Sequence, residues 1–259
     1  MTILPVQGSR RRSRARGVIV TAGGPQMRGV LHDLALPTFR SYAAAWDWTV
    51  QAVDLPSDGS GVDAAAQQAK WAKPRLLQRA LEEHPFALWI DADVLLLRRD
   101  GDVLAHLHPR DFQALALEHV PSEHRVNPNT GVWLLRSCLQ SQAFLAAVTR
   151  AGQQPGPWAD QGAVLHALGW ERGDEAYRWA KPGRGNAFSA ATSWLPPGWN
   201  APYLENRTEA SSFNSSAASY LDRPQVAEPH ALHFMGMTAA ARYDAMSATL
   251  LRDDRRLPA

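Results

Sequence analysis

Twelve residues constrain this chain more than any others: Phe86-Ala87-Leu88-Trp89-Ile90-Asp91-Ala92-Asp93-Val94-Leu95-Leu96-Leu97, an apolar run broken only by two aspartates. The run is too short to cross a bilayer, and His84-Pro85 before it and Arg98-Arg99 after it close both ends. It reads as a strand buried on both faces, the kind found in a mostly parallel sheet. Removing an ionised carboxylate from water without a partner costs several kcal/mol, so Asp91 and Asp93 need a physical reason to be there. Residues two apart on a strand share a face, so both carboxylates could close on one divalent cation at the strand end. Oxygen ligands favour Mg²⁺ or Mn²⁺. Taken alone, the same pattern also describes a solvated strand end followed by a helix cap.

The surrounding sequence supplies an α/β framework. Gly17-Val18-Ile19-Val20-Thr21-Ala22-Gly23-Gly24-Pro25 reads as a first strand entering a turn, and Trp48–Val53 as a second strand. Leu31–Trp46 has apolar residues at mixed helical spacing. Ala64–Glu83 has a clear helical face through Trp71, Leu76, Leu77, Ala80 and Leu81, with Pro74 expected to interrupt it. Thr130–Leu135 reads as a strand and Gln140–Arg150 as a helix. From Gly152 to Ala227 the chain is rich in Pro, Gly, Ser and Trp without periodicity, which in a compact domain usually marks functional loops. With 259 residues, the expected organisation is an Arg-rich disordered leader over 1–16 and one domain over 17–250.

Charge and composition exclude several classes. The net charge is +2, but Arg10, Arg11, Arg12, Arg14 and Arg16 lie in the leader, which leaves −3 for the body. A nucleic-acid-binding surface is not expected from such a body. One cysteine, Cys138, rules out an internal disulfide and a cysteine-rich metal site. Neither a secretory signal nor an 18-residue apolar span is present, so the expected location is cytoplasmic, and the Ala/Arg-rich composition is of a bacterial kind. No Gly-x-Gly-x-x-Gly or Walker pattern occurs. Ten tryptophans exceed what packing needs; those in the irregular region, Trp170, Trp179, Trp194 and Trp199, suit either sugar stacking or the core.

Five short motifs follow one another in order: Trp71-Ala72-Lys73, the Asp91-Ala92-Asp93 run, Asn129-Thr130-Gly131-Val132-Trp133-Leu134-Leu135-Arg136, Trp158-Ala159-Asp160-Gln161 and His233-Phe234-Met235-Gly236. In this order, with the Thr-Ala-Gly strand, they resemble the GT-A glycosyltransferases of the galactosyl/xylosyltransferase group, glycosyltransferase family 34. The resemblance spans Val18 to about Gly236.

It implies a GT-A fold, a single Rossmann-like α/β domain on a central mostly parallel sheet, and transfer of a hexose or pentose from a nucleotide sugar to a hydroxylated acceptor. Asp91, Asp93 and His233 would hold Mn²⁺ or Mg²⁺ on the donor diphosphate. Thr21, Ala22 and Gly23 would line the base and ribose, with Lys73, Ala92, Gly131 and Gly236 also at the donor. Asn129 and Asp160 would face the sugar, with Gln161 near the anomeric carbon. The family habit implies a UDP-linked donor and retention of anomeric configuration. Retention normally calls for a carboxylate nucleophile, but Gln161 is a poor one, so front-face displacement is the expected route. Relatives with a membrane anchor modify polysaccharide; a small intracellular acceptor is expected here.

Two alternatives follow from the same residues. Haloacid-dehalogenase phosphohydrolases also place Asp-x-Asp after an apolar strand, but they want Thr or Val where Leu95 stands. A non-catalytic sugar-nucleotide-binding protein could keep the fold, although retention of all three metal ligands argues against it.

Overall fold

The computed structural model describes residues 15–56, 62–120, 125–155, 159–172, 180–181, 185–203 and 228–252. Its first strand, β1 (Gly17–Gly23), is buried along its whole length, and it runs parallel to β2 (Trp48–Asp54) on one side and β3 (Phe86–Ile90) on the other. Strand side chains alternate between faces, and here each face meets its own core. Ile19, Leu88 and Ile90 enter one core, lined by the π-helical segment Val30–Ala35, by α1 (Leu36–Trp46) and by Met246 of the last helix. Val18, Val20, Ala87 and Trp89 enter the other, against Leu77, Ala80 and Leu81 of α2 (Val62–Glu83). Phe144 and Val148 of α3 (Leu139–Ala151) and Ala163 and Val164 of α4 (Ala159–Ala167) complete that second core. Coverage on both faces explains why β3 is continuously apolar and β1 nearly so.

The central sheet continues through β5 (Gln113–Val120), β6 (Arg125–Arg136) and β9 (Thr192–Leu195), in the six-stranded order β2-β1-β3-β6-β5-β9. Most of its pairings are parallel; β6 alone runs antiparallel to its neighbours β3 and β5. A small second sheet joins β4 (Val94–Leu96), β10 (Ala201–Pro202) and β11 (Ala231–His233), and β7 (Glu171–Arg172) pairs with β8 (Ala180–Lys181). The last helix is α5 (Ala239–Arg252). The mixed α/β architecture is the expected one.

Three local expectations need correction. The apolar run around the aspartates is not one strand: β3 stops at Ile90, β4 starts at Val94, and Asp91-Ala92-Asp93 is a turn closed by the Val94 amide donating to the Asp91 carbonyl at 3.1 Å. The carboxylates therefore meet through a turn between two sheets, not through strand alternation. Pro74 lies inside the continuous helix α2 instead of breaking it. The irregular region contains α4, which starts at Ala159, so Asp160 and Gln161 occupy its first turn.

Arg16, assigned to the leader, is tied down: its amide donates to the Asp47 carbonyl at 2.8 Å and its guanidinium to Asp102 at 2.8 Å. The remaining leader arginines, Trp158, Trp179 and residues 204–227 lie outside the described residues. Among the described residues no helix is long and apolar enough to cross a membrane.

Candidate functional site

The site forms where three parts of the chain leave the central sheet together. β6 contributes an irregularity: adjacent residues Leu115 and Ala116 of β5 pair with Trp133 and Asn129, so residues 130–132 are extra on β6. Bulges of this kind re-aim side chains. Here the Asn129 Oδ1 accepts from the Gly131 amide at 2.7 Å, and the Gly131 carbonyl accepts from the Asp91 amide at 2.9 Å. The bulge and the aspartate turn are thus one hydrogen-bonded unit. The small sheet brings in the third part, since the Phe234 amide donates to the Asp93 carbonyl at 2.9 Å.

One carboxylate oxygen each from Asp91 and Asp93 and one ring nitrogen of His233 all lie within 4.8 Å of one another. The His233 Nε2 is 3.2 Å from Asp93 Oδ1 and 4.0 Å from Asp91 Oδ2. Two carboxylates and an imidazole form a donor set suited to Mn²⁺, and to Mg²⁺ through the oxygens. The other ring nitrogen, Nδ1, is 2.9 Å from the Asn200 Oδ1 and therefore engaged, which leaves Nε2 to face the aspartates. The residues present fit a divalent cation. Gly131 is required for this approach, because a Cβ there would lie 2.4 Å from the His233 Cε1.

Asp93 is held from a side the sequence did not reveal. Arg242 of α5 donates to its Oδ2 at 3.1 Å while also binding the Phe234 carbonyl at 3.0 Å. Burial works against the Asp93 carboxylate, but the Arg242 charge and His233 prevail and hold its pKa well below the usual carboxylate range.

Lys73, on α2, is 2 % exposed. Its Nζ lies 3.1 Å from Asp91 Oδ1, 2.9 Å from Asp160 Oδ2 and 3.2 Å from both the carbonyl and the hydroxyl of Thr130. Burial favours the neutral amine, yet Asp160 and Asp91 outweigh it and raise its pKa above the ordinary lysine value. With these partners Lys73 acts on the two carboxylates, not as a solvent-facing charge. Asp160 is itself buried, and the Thr130 hydroxyl donates to it at 3.2 Å. It follows Ala159, whose φ of 47° lies in the left-handed region that disfavours a Cβ, so the chain is forced into one path as it enters α4. Gln161, next along, is half-buried.

The other expected donor residues are less directly engaged. Thr21, Ala22 and Gly23 end β1 and are buried; the Thr21 hydroxyl has no hydrogen-bond partner among the described residues, and the Gly23 carbonyl accepts from the Leu55 amide at 2.9 Å. Ala92 is buried beside them, its Cβ 3.8 Å from where a Gly23 Cβ would stand. Gly236 is exposed at φ 69°, turning the chain from β11 toward α5. Trp199 is a core residue, 1 % exposed and stacked on His230 at 4.8 Å, so it offers no ring to a sugar.

Sequence reasoning missed Arg242, Asn200 and Thr130. Thr130 stood inside a quoted motif, while Asn200 and Arg242 carried no spacing signal linking them to the aspartates.

No family model matches the chain. A protein described as probable glycosyltransferase 7, from Oryza sativa subsp. indica, is 32 % identical over 101 residues, which are 37 % of this chain and 23 % of that protein. Probable glycosyltransferase 6, from Oryza sativa subsp. japonica, is 32 % identical over 105 residues, 38 % of this chain and 22 % of the relative. The matches therefore span less than a quarter of these curated relatives. Among solved structures, a glycosyltransferase involved in the glycosylation of the major capsid of PBCV-1 aligns over 89 % of this chain and 98 % of its own, with a TM-score of 0.54 at 13 % identity. The bifunctional glycosyltransferase WbbM aligns over 93 % of this chain and 51 % of its own, with a TM-score of 0.53 at 10 % identity. The chain has the GT-A glycosyltransferase fold.

Proposed function

We propose that this chain is a metal-dependent glycosyltransferase that moves a hexose or pentose from a nucleotide sugar, UDP-linked in the simplest case, to a hydroxyl of an acceptor, with retention of configuration. The observation that carries this reading is the convergence of Asp91, Asp93 and His233 ligand atoms within 4.8 Å at the edge of a GT-A sheet. Charge supports it. Asp91, Asp93 and Asp160 set three negative charges against the two positive charges of Lys73 and Arg242, a balance that favours a dication together with an anionic diphosphate.

A divalent ion held by Asp91, Asp93 and His233 would offset the negative charge that develops on the departing nucleoside diphosphate. Lys73 holds Asp91 in place at 3.1 Å and couples it to Asp160 at 2.9 Å. Asp160 is bound by Lys73 and Thr130 and is poorly placed to become a free nucleophile. That supports front-face displacement: the acceptor oxygen bonds to the anomeric carbon, the bond from that carbon to phosphate oxygen breaks, and the acceptor proton passes to the departing phosphate. Gln161, half-buried beside Asp160, would then face the sugar. Trapping a glycosyl adduct on Asp160 would contradict this route. The turn between two sheets and the glycosyltransferase neighbours do not favour a dehalogenase-type phosphatase.

A panel of nucleoside diphosphates and sugar nucleotides, each with Mn²⁺, provides the test. Ligands that bind the folded state stabilise it by mass action, by about 2.7 kcal/mol at a hundredfold excess over Kd, and so raise its melting temperature. UDP and a UDP-sugar should give the largest shifts, and only with the metal. An equal response to GDP would remove the uridine assignment, and no response to any member would remove the donor site. Tight donor binding without turnover on any acceptor would instead mark a sugar-nucleotide-binding protein.

A further inference from the structure

Asn200 is a buried polar side chain packed against the ligand set. It lies between the turn Pro197–Trp199 and β10, is 1 % exposed, and its Oδ1 is 2.9 Å from the His233 Nδ1. Its Nδ2 is buried with no hydrogen-bond partner among the described residues. An unsatisfied buried amide proton costs about 1–3 kcal/mol, whereas a leucine of similar size would fill the space without that cost. The one side-chain atom of Asn200 engaged among the described residues is the oxygen on the imidazole.

That contact decides what His233 can do. A neutral imidazole carries one N–H, and the partner of one nitrogen fixes the state of the other. With Oδ1 toward the ring, an N–H on Nδ1 can donate to it, and a neutral imidazole then has its Nε2 lone pair toward Asp93 and Asp91. With the amide reversed, Nδ2 would donate to Nδ1, and Nε2 would carry a proton facing two carboxylates and be unable to act as a ligand. Gly131 leaves room for the ring, since any Cβ there would overlap its Cε1 and Nδ1. We propose that Asn200 is a positioning residue that fixes the tautomer and orientation of His233, so that Nε2 is preset as a metal ligand. This inference rests on the metal-site reading above.

The measurement is Mn²⁺ affinity of the full chain, read by electron paramagnetic resonance of the free ion, for the wild type, His233→Ala, Asn200→Leu and Asn200→Asp. Partners of this kind typically change metal affinity about 10–100-fold. Asn200→Leu should weaken binding by that factor, and Asn200→Asp, which keeps an acceptor oxygen on Nδ1, should restore most of it. If His233→Ala binds Mn²⁺ as tightly as the wild type, the metal-site reading itself fails. If His233→Ala weakens binding but Asn200→Leu does not, the role of Asn200 is overturned while the site stands. Should Asn200→Leu not fold, nitrogen-15 spectra of the metal-free wild type decide: a neutral ring with its one proton on the His233 Nδ1 supports the assignment, and a bare Nδ1 overturns it.

Discussion

Replacing Asp93 with asparagine is expected to lower Mn²⁺-dependent release of UDP from a UDP-sugar by about three orders of magnitude. The substitution keeps the volume and removes one negative ligand, and stabilisation of developing phosphate charge by a divalent ion amounts to several kcal/mol at about 1.4 kcal/mol per tenfold in rate. It also leaves Arg242 without the carboxylate it contacts at 3.1 Å, so some loss of stability should accompany the loss of rate. The two effects separate by pH. The folded-state pKa of Asp93 is depressed below its ordinary value of 3.8, so its carboxylate contributes stability that is present above that value. That contribution is lost as pH falls through the lower folded value. Acid titration of melting temperature should therefore fall less steeply in Asp93→Asn than in the wild type; parallel curves would show that the Arg242 and His233 contacts do not act on Asp93 as described.

Lys73→Met should have the largest effect on the fold. Lys73 is buried between Asp91 and Asp160, within 3.1 Å of both, and breaking a buried ion pair by removing one partner costs about 3–5 kcal/mol. In a chain of this size that corresponds to roughly 10 °C in melting temperature. The methionine fills most of the volume but leaves two carboxylates near each other without the cation. Melting temperature and UDP release would both fall. Thermal stability within about 1 °C of the wild type would mean that water or rearrangement replaces the ammonium, and the coupling of the metal-binding turn to Asp160 would be withdrawn. At alkaline pH the sign is opposite to that of Asp93. The raised lysine pKa gives stability present below the ordinary value of 10.5 and lost as pH rises through the higher folded value.

The sequence carried much of this layout because strand burial and side-chain chemistry are local signals. A continuously apolar β3 and a nearly apolar β1 announced a sheet covered on both faces, and aspartates in such a run had to have partners. What the sequence concealed was geometry made by tertiary contacts. Asp91-Ala92-Asp93 looks like strand, but the chain passes there from one sheet to another because Val94–Leu96 pairs with Ala231–His233. Nothing local records that pairing. The resemblance put Lys73 at the donor, but the groups that bury it come from the β6 bulge and the first turn of α4. Arg242 and Asn200 act from elements whose nearness to Asp93 and His233 depends on how α5 and the small sheet close over the site. Pro74 argued for a break in α2, and packing against β1 and β3 carries the helix through it.

The central claim is that the Asp91, Asp93 and His233 cluster serves metal-dependent cleavage of a nucleotide sugar. The most direct measurement is release of UDP from UDP-sugars by the wild-type chain, followed chromatographically with Mn²⁺ and again after chelation. The account predicts release that requires the metal, stops with the chelator and resumes when Mn²⁺ is restored. Release that continues undiminished in the chelator would contradict it, as would hydrolysis of simple phosphomonoesters with no turnover of any nucleotide sugar.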